Sequence, residues 1–483
     1  MLVLLCAITL AAAAGRWRLL DHPMRYDESY NYLNYASRSP GYIVTHYTPN
    51  NHVLHTLMVH VTSRFLGDHP AALRLPAFVG GVLLIPMTAG LAWAVSRRRF
   101  AVVLSALAVA GSSPLIEYSV NARGYSWLAL FATLLAWLTL RLIRHPDHKR
   151  FWLLWALIAA LGAYVVPVMI LAVTGSFVAL LIANSRTQPA RPNGLRRVLG
   201  GGAIAAGVMA GFYLPIVLFE GLHKLLATKE MAYGILGGQI DSFGQMVLAA
   251  VTLAFRHAAL PWIVLLLLGL AVYVYRAARR DGDARWTPLV IVATALALAA
   301  AMQAPFPARA WLFLFPILFA CAADGLAQLA WLPTRRYASA ALALVIAGVS
   351  IAGSAGILAH SRLCAEPGGL VEIESVLRDC QDFGAERCAV VSRYSPARAY
   401  YLRRLGAAEP AQPTSNGVRR VYIVADELRP LADLWGPHVD GYHNFALPRL
   451  SRTVATASLY LADRLPALTA QGGSGDDQIE PGP

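Results

Sequence analysis

The sequence predicts a polytopic α-helical membrane protein that carries a small α/β domain at its C-terminal end. Hydrophobic residues make up 57% of the 483 residues and charged residues only 14%, whereas soluble domains carry about 25% charged residues. Apolar runs long enough to cross a bilayer recur along most of the chain, and the hydropathy falls only after about residue 360. These observations exclude a soluble enzyme.

The formal net charge of +14 does not indicate a nucleic-acid partner. Lys and Arg gather in the cytoplasmic loops of membrane proteins, so a basic balance is expected for a chain that lies in a lipid bilayer. We therefore predict a multi-pass protein of the cell inner (plasma) membrane that binds no nucleic acid.

Eleven apolar segments are predicted to span the membrane. They lie near 1–19, 75–95, 100–114, 125–142, 152–165, 167–183, 198–218, 259–275, 287–303, 308–329 and 338–359. The run from 152 to 183 is divided at Pro167, because proline interrupts helix hydrogen bonding. The segment 244–256 has two possible interpretations, an interfacial amphipathic helix or a further span. A further span would place every later loop on the opposite side of the membrane.

The basic residues predict the orientation. With the N-terminus inside, each cytoplasmic loop holds Lys or Arg, as the positive-inside rule requires. Those loops are 97–99, 141–150, 186–197, 276–285 and 335–336. Arg16 and Arg18, at the outer end of the first span, do not follow this pattern, and one interpretation is that they serve the outer loop. The first segment lacks a basic start and a cleavage site, so we interpret it as a retained span rather than a signal peptide.

The outer side then holds three pieces: the first outer loop (20–74), the segment 219–258 and the tail. The tail alternates helical and extended patterns, which predicts a small extracytoplasmic α/β domain over 360–470. The Gly-, Ser- and acid-rich end, 471–483, predicts disorder. Residues 1–359 form the predicted transmembrane catalytic domain.

The cysteines predict one disulfide, in the outer domain. Cys6 and Cys321 lie in predicted spans and fit packing positions. Cys364, Cys380 and Cys388 fall in the outer domain, where an oxidising compartment permits a disulfide. We predict Cys380–Cys388, which leaves the third cysteine unpaired.

The first outer loop carries the candidate catalytic residues. The acidic pair Asp27 and Glu28 opens a predicted helix over 27–36, where an acidic residue also stabilises the helix start. A second, amphipathic helix follows, with His52, His55, Thr56, His60 and Ser63 on its polar face. We expect that face to look into an aqueous cavity shared with Asp27.

Candidate substrate-binding residues lie at predicted outer membrane boundaries. Arg74, Arg123 and Arg309 can hold a lipid phosphate, because arginine binds phosphate through two donors. Each can instead be a membrane-surface anchor. Tyr125 joins this set with His52 and His55, as an aromatic ring that can stack on a sugar.

Four phrases resemble one class of enzyme. "YDESY" (26–30) stands just after the first span, and "GDHPAALRLPAFVGG" (67–81) leads into the second. "SPLIEYSVNARGYSWLAL" (113–130) and "ARAWLFLFP" (308–316) follow in order. This order resembles glycosyltransferase family 39 of the GT-C class, which includes protein O-mannosyltransferases and the lipid A aminoarabinose transferase. The resemblance covers roughly residues 15–320.

The resemblance implies a reaction. A sugar on a polyprenyl phosphate is transferred with inversion to an acceptor lipid, glycan or protein at the outer surface, with the first-loop Asp27 as general base. No cofactor is required by this scheme. A divalent metal at His52 and His55, with Asp27 or Glu28, is left open, although an i,i+3 histidine pair is a weak signal.

Two other functions stay open. A flippase for lipid-linked sugars predicts polar residues within the spans and inverted repeats. The predicted spans hold almost no charged residue apart from Asp324, which lies near the end of one of them. No repeat is evident in the sequence. A non-catalytic assembly factor on the same scaffold is the second alternative.

Overall fold

Apolar helices form most of the first of the two units into which the chain divides, Met1–Glu366 and Pro367–Pro483. The computed structural model describes residues 1–186, 193–226, 243–256, 258, 260–279, 284–302, 306–329, 348, 370–391, 395–410, 418–425, 449–454 and 457–463.

The first unit is built from consecutive α-helices. They are α1 (Leu2–Trp17), α2 (Tyr26–Asn31), α3 (Pro40–Thr45), α4 (Val53–Leu66), α5 (Pro70–Ser96), α6 (Arg99–Gly111), α7 (Ser113–Ser119), α8 (Tyr125–Arg144), α9 (Lys149–Val165), α10 (Met169–Arg186), α11 (Gly194–Glu220), α12 (Leu222–Leu226), α13 (Phe243–Ala254), α14 (Leu260–Arg279), α15 (Thr287–Met302) and α16 (Leu314–Leu329). A π-helical segment, Tyr32–Ala36, continues α2, and short 3-10 segments, Ala284–Trp286 and Ala308–Phe313, precede α15 and α16.

Six helical segments of the described part are long and apolar enough to cross a bilayer. They are α5, α8, α10, α11, α14 and Ala308–Leu329, and the pair α6–α7, bent by 62°, would be a seventh. The helices α1, α13 and α15 are apolar but shorter. The chain is thus a multi-pass helical membrane protein. The count of eleven spans stays a prediction, and its last member, 338–359, lies almost wholly outside the described residues.

The helix break at Pro167 is confirmed, because α9 ends at Val165 and α10 begins at Met169. The ambiguous segment 244–256 contains the helix α13.

The segment Ala308–Leu329 is the most enclosed of the six candidate spans. Its C-terminal part, α16, packs closely on α14 at Gly269 and Gly325, where a Cβ on Gly325 would overlap the carbonyl of Gly269. Helices with glycine at the contact can bring their backbones together in this way. This contact fixes the C-terminal part of the segment against α14, while Arg309 lies at the N-terminal end.

Arg16 joins three helices. Its side chain is buried, and it donates hydrogen bonds to the carbonyls of Gly81 in α5 (2.8 Å) and Val109 in α6 (3.1 Å). The interpretation that Arg16 serves the outer loop is therefore wrong. The residue fixes α1 against its neighbours, which explains a basic residue on the unexpected side.

The described residues of the second unit form a mixed sheet and two α-helices. The strands are β1 (Cys388–Val391), β2 (Arg420–Ala425), β3 (Arg449–Val454) and β4 (Ala457–Asp463), and the helices are α17 (Leu370–Phe383) and α18 (Ser395–Leu405). The strand order is β1-β2-β4-β3, with β1 and β2 parallel and the other pairs antiparallel. The predicted disulfide Cys380–Cys388 is confirmed and joins α17 to β1. Cys364 and the segment 471–483 lie outside the described residues.

Candidate active site

Helix α2 places the two adjacent carboxylates on different sides. It begins at Tyr26, one residue before the predicted start, and its first turn is closed by the Glu28 side chain on the Arg25 backbone N–H. Successive residues of a helix point about 100° apart. Glu28 is therefore buried (1% exposed), while the side chain of Asp27 stays 21% exposed.

Glu28 is enclosed by an ion pair with Arg74, at the start of α5. Arg74 donates through Nε to one carboxylate oxygen (2.8 Å) and through Nη2 to the other (2.6 Å). The backbone N–H groups of Arg25 and Ala122 bind the same two oxygens (2.8 and 2.5 Å). Burial alone would raise the pKa of Glu28, but Arg74 and then Arg25 hold it below its ordinary value. A carboxylate with four donors is a poor proton acceptor.

The other donors of Arg74 bind the chain before α2. They contact the carbonyls of Leu20 (2.9 Å), His22 (2.5 Å) and Pro23 (2.8 Å). An arginine has five N–H donors, and each of them has an acceptor here. Arg74 therefore fixes the entry to α2 and has no donor left for a lipid phosphate.

Asp27 lies between two arginines from distant segments. Arg309 forms an ion pair with its carboxylate (2.9 Å), and Arg123 donates to its main-chain carbonyl (3.4 Å). Burial would raise the pKa of Asp27, but the positive charges of Arg123, Arg309 and Arg25 outweigh it and lower the pKa. Asp27 is thus ionised at neutral pH and, unlike Glu28, partly open to solvent.

Tyr125 orients the two arginines. Its hydroxyl accepts a hydrogen bond from Nε of Arg309 (3.0 Å), and both guanidinium groups lie about 6 Å from its ring centre. The ring also makes edge contacts with Tyr118 and His52. Tyr125 is itself buried, so its face is taken by protein groups rather than presented to a sugar.

The polar face of α4 is turned into the protein. His55, Thr56 and His60 are buried, and His60 contacts the Ala36 carbonyl at 2.9 Å. Apart from Arg64, the exposed residues of α4 are apolar, with Phe65 83% exposed. The expectation that this polar face looks into an open cavity is therefore wrong for these three side chains, because they are enclosed by the protein.

His52 and His55 are neutral. Nδ1 of His52 accepts the backbone N–H of Gly124 at 2.9 Å, and its pKa is lowered well below the ordinary value by burial and then by Arg123. Burial, together with Arg123, lowers the pKa of His55 to about 3. Neither ring nitrogen of His55 has a hydrogen-bond partner among the described atoms.

The residues that the sequence suggested as metal ligands do not come together. Within the described residues, no three His, Cys, Asp or Glu side chains come close enough to hold one metal ion. Glu28 is bound by Arg74, and His52 by Gly124 beside Arg123.

A third carboxylate, Glu117 of α7, was not identified as a site residue from the sequence. It is buried, forms an ion pair with Arg25 (2.7 Å) and contacts Arg256, just after α13. The backbone N–H of Arg25 binds Glu28, the residue after Asp27, so Arg25 connects Glu117 to the start of α2. The sequence could have identified Glu117, because it lies in the segment 113–130 on which the family resemblance rests.

The cluster as a whole carries excess positive charge. We name as the arginine cluster the five arginines and three carboxylates joined by these contacts: Arg25, Arg74, Arg123, Arg256, Arg309, Asp27, Glu28 and Glu117. Since the neighbouring histidines His52 and His55 are neutral, it holds a surplus of two positive charges. Such a site favours an anion, and its partly exposed carboxylate can accept a proton.

Solved structures of GT-C membrane glycosyltransferases share this helical architecture. The chain is similar to the crystal structure of ArnT from Cupriavidus metallidurans, a GT-C lipid A aminoarabinose transferase, in the apo state. The TM-score is 0.58 and the identity 13%, over 95% of this chain and 97% of that one. For ArnT bound to undecaprenyl phosphate, the TM-score is 0.60 and the identity 12%, with the same coverage. The chain therefore has the GT-C fold.

No protein-family model matches the sequence, and no curated protein sequence matches it.

Proposed function

We propose that this chain is an inverting membrane glycosyltransferase that uses a polyprenyl-phosphate-linked sugar as donor. The acceptor hydroxyl belongs to a lipid, glycan or protein at the extracytoplasmic surface. The GT-C fold supports this assignment, and the undecaprenyl phosphate bound by ArnT supports a lipid-phosphate donor. We place the chain in the inner (plasma) membrane, with the second unit on the extracytoplasmic side.

One observation carries the proposal. Asp27 is a partly exposed carboxylate, and it lies in a cluster with surplus positive charge at the N-terminal end of the enclosed apolar segment Ala308–Leu329. A proton acceptor and an anion site side by side are what glycosyl transfer from a phosphate needs.

Asp27 acts as general base in this scheme. It takes the proton of the acceptor hydroxyl while that oxygen attacks the anomeric carbon. The bond from that carbon to the phosphate oxygen breaks on the opposite side, so the configuration inverts. The electron pair leaves on polyprenyl phosphate, and arginine cations meet the charge that grows there.

Arg309 can contact both the proposed base and the donor phosphate. Its side chain is 32% exposed and forms an ion pair with Asp27. An incoming phosphate competes with Asp27 for this guanidinium. Loss of the ion pair raises the pKa of Asp27, which makes it a stronger base when the donor is bound. Arg256, 39% exposed, is a second cation open to the donor.

The buried residues position these groups. Glu28 and Arg74 fix α2, and Tyr125 orients Arg309 and Arg123. We therefore assign catalysis to Asp27 and donor binding to Arg309, with Glu28, Arg74, Arg123, Tyr125, His52 and His55 as positioning residues.

The test starts from a deletion strain, in which the untransferred lipid-linked sugar accumulates and identifies the donor. Purified protein is then assayed for release of polyprenyl phosphate from that lipid. Asp27→Asn should bind the donor but lose about 10²–10⁴ in rate, the usual contribution of a general base. Asp21→Asn, an exposed carboxylate outside the cluster, is the matched control. Full transfer by Asp27→Asn would remove Asp27 from the mechanism.

A further inference from the structure

Two tyrosines of α2 form an aromatic surface next to Asp27. The ring centres of Tyr26 and Tyr30 lie 6.4 Å apart, and the ring planes differ by only 10°. This spacing is that of an offset parallel pair. Tyr26 is 39% exposed and Tyr30 is partly exposed, so the pair extends a flat surface toward the outside.

Helix geometry sets this surface beside the proposed base. Residues three or four apart share a helix face, so Tyr30 shares one with Tyr26 and also one with Asp27. The side of α2 opposite the two rings is closed, because Glu28 is buried there. A molecule that lies on the two rings therefore has its edge next to the Asp27 side of the helix.

We propose that Tyr26 and Tyr30 form the acceptor subsite and that the acceptor is a saccharide. This inference rests on the proposed function. A pyranose ring has a face of C–H bonds and an edge of hydroxyls. The face packs on an aromatic ring, which offers a rigid apolar surface, while the edge presents a hydroxyl to Asp27.

The neighbouring polar group fits the same ligand. Asn34 is exposed and lies four residues after Tyr30, where its amide donates to the Tyr30 carbonyl. Its carboxamide can hydrogen-bond a sugar hydroxyl at the far end of the surface. A flat apolar surface with amide groups at its edge suits a neutral sugar better than an extended peptide, which needs backbone hydrogen bonds along a strand edge.

Membrane anchoring is the competing explanation for exposed tyrosines, since they are enriched at bilayer surfaces. The described first loop has a separate exposed apolar surface on α4, with Phe65 83% and Leu66 52% exposed. That surface can contact lipid without the tyrosine pair.

The experiment uses the full chain in lipid nanodiscs, applied to an array of microbial oligosaccharides and Ser/Thr-containing peptides. The wild type should bind a set of oligosaccharides. Tyr30→Ala should weaken that binding about tenfold, equivalent to about 1.4 kcal/mol, and Tyr30→Phe should retain it because the ring is kept. Tyr42→Ala is the matched control, because Tyr42 is 37% exposed and stacked on His46 in the same loop.

Each other outcome overturns the inference. It fails if only peptides bind, if no oligosaccharide binds, or if Tyr30→Ala binds like the wild type. It also fails if Tyr30→Ala changes only the retention of the protein in the bilayer, which would make the pair a membrane anchor. Binding of undecaprenyl phosphate is measured in parallel. If the wild type binds this lipid but no oligosaccharide, only the acceptor inference is wrong. If it does not bind the lipid, the result counts against the proposed function.

Discussion

At the scale of single residues, the position of Asp27 between Arg123 and Arg309 fixes its charge. Burial favours the neutral carboxyl, and the two guanidinium groups favour the ionised one and prevail. An adjacent residue, Glu28, has the same chemistry but is enclosed by Arg74. The two adjacent carboxylates therefore have different roles, because successive residues of a helix point about 100° apart.

The first prediction concerns pH. Transfer requires ionised Asp27, so the rate should fall as the pH drops through its pKa, which lies below the ordinary value of 3.8. Arg123→Gln removes a positive charge and raises that pKa, so the acidic limb of kcat/KM should move to higher pH. Arg38→Gln, at an exposed position of the same loop, should leave the limb in place. Identical profiles for wild type and Arg123→Gln would contradict the role of this charge.

The second prediction concerns the donor phosphate. Arg309→Ala should raise the KM for the lipid-linked sugar and lower kcat, because the charge that Arg309 meets grows in the transition state. Arg309→Lys should recover only part of the lost donor affinity and turnover, since the lysine ammonium is a point charge and the arginine guanidinium can donate two parallel hydrogen bonds. The measurement is turnover against donor concentration in detergent, with the exposed Arg18→Ala as control. If Arg309→Ala changes neither parameter, the phosphate is held elsewhere, and Arg256 becomes the better candidate.

The third prediction separates positioning from chemistry at Glu28. Glu28→Gln leaves Arg74 buried without a counter-ion, which costs about 3–5 kcal/mol for a buried pair. Because the pKa of Glu28 is depressed, its contribution is present above the unfolded value and is lost as the pH falls through the folded one. Thermal unfolding in detergent should show a clearly lower midpoint than Asp147→Asn, which removes an exposed ion pair with Arg197. Equal midpoints would mean that the Glu28–Arg74 pair does not stabilise the fold.

At the scale of elements, the turn between α7 and α8 brings the site together. Gly124 lies in this turn, and its N–H binds His52 of the first loop while its neighbours Arg123 and Tyr125 face Asp27 and Arg309. A Cβ at Gly124 would lie 2.6 Å from Cγ1 of Val165 and 3.1 Å from Nδ1 of His52. The turn therefore depends on the absence of a side chain.

The fourth prediction uses this close approach. Gly124→Ala should destabilise the protein by about 1–3 kcal/mol, the usual cost of overpacking, and should lower kcat by displacing Arg123 and Tyr125. Val165→Ala removes the nearest obstructing atom, so the double variant should recover much of both losses. Unfolding midpoints and turnover of the two single variants and the double variant test this. A double variant no better than Gly124→Ala would contradict the steric explanation.

The elements show what the sequence could predict. Helices lie where apolar runs were found, because hydropathy is a local property, and Pro167 separated two helices as expected. The polar face of α4 was identified correctly, but its direction was not, because local periodicity does not say which face meets the protein. Asp27 was a candidate from its place in the first loop. The group Arg25, Glu117 and Arg256 was missed, since its members come from three distant segments and meet only in the folded chain.

At the scale of the whole molecule, the basic residues and the bent pair α6–α7 together decide the topology. The pair is bent by 62° and crosses the bilayer only if both helices form one span. If it crosses, three spans separate the first outer loop from the basic segment 141–150, and the two lie on opposite sides. If it does not cross, two spans separate them, and both face the same side against the positive-inside rule.

The last prediction tests that choice with single cysteines in a background lacking Cys6 and Cys364. Gly41→Cys is suitable for the first loop, because a Cβ there meets no atom within 4 Å, and His145→Cys reports on the exposed basic segment. An impermeant thiol reagent should label Gly41→Cys in intact cells and His145→Cys only after permeabilisation. Ala408→Cys, exposed in the second unit, should label like Gly41→Cys, because seven predicted spans follow residue 145. Labelling of His145→Cys in intact cells would mean that α6–α7 does not cross, and the Arg-rich segments would then need another explanation. Protection of Ala408→Cys, with His145→Cys also protected, would place the error among the later spans, where 244–256 is the segment that can change the count.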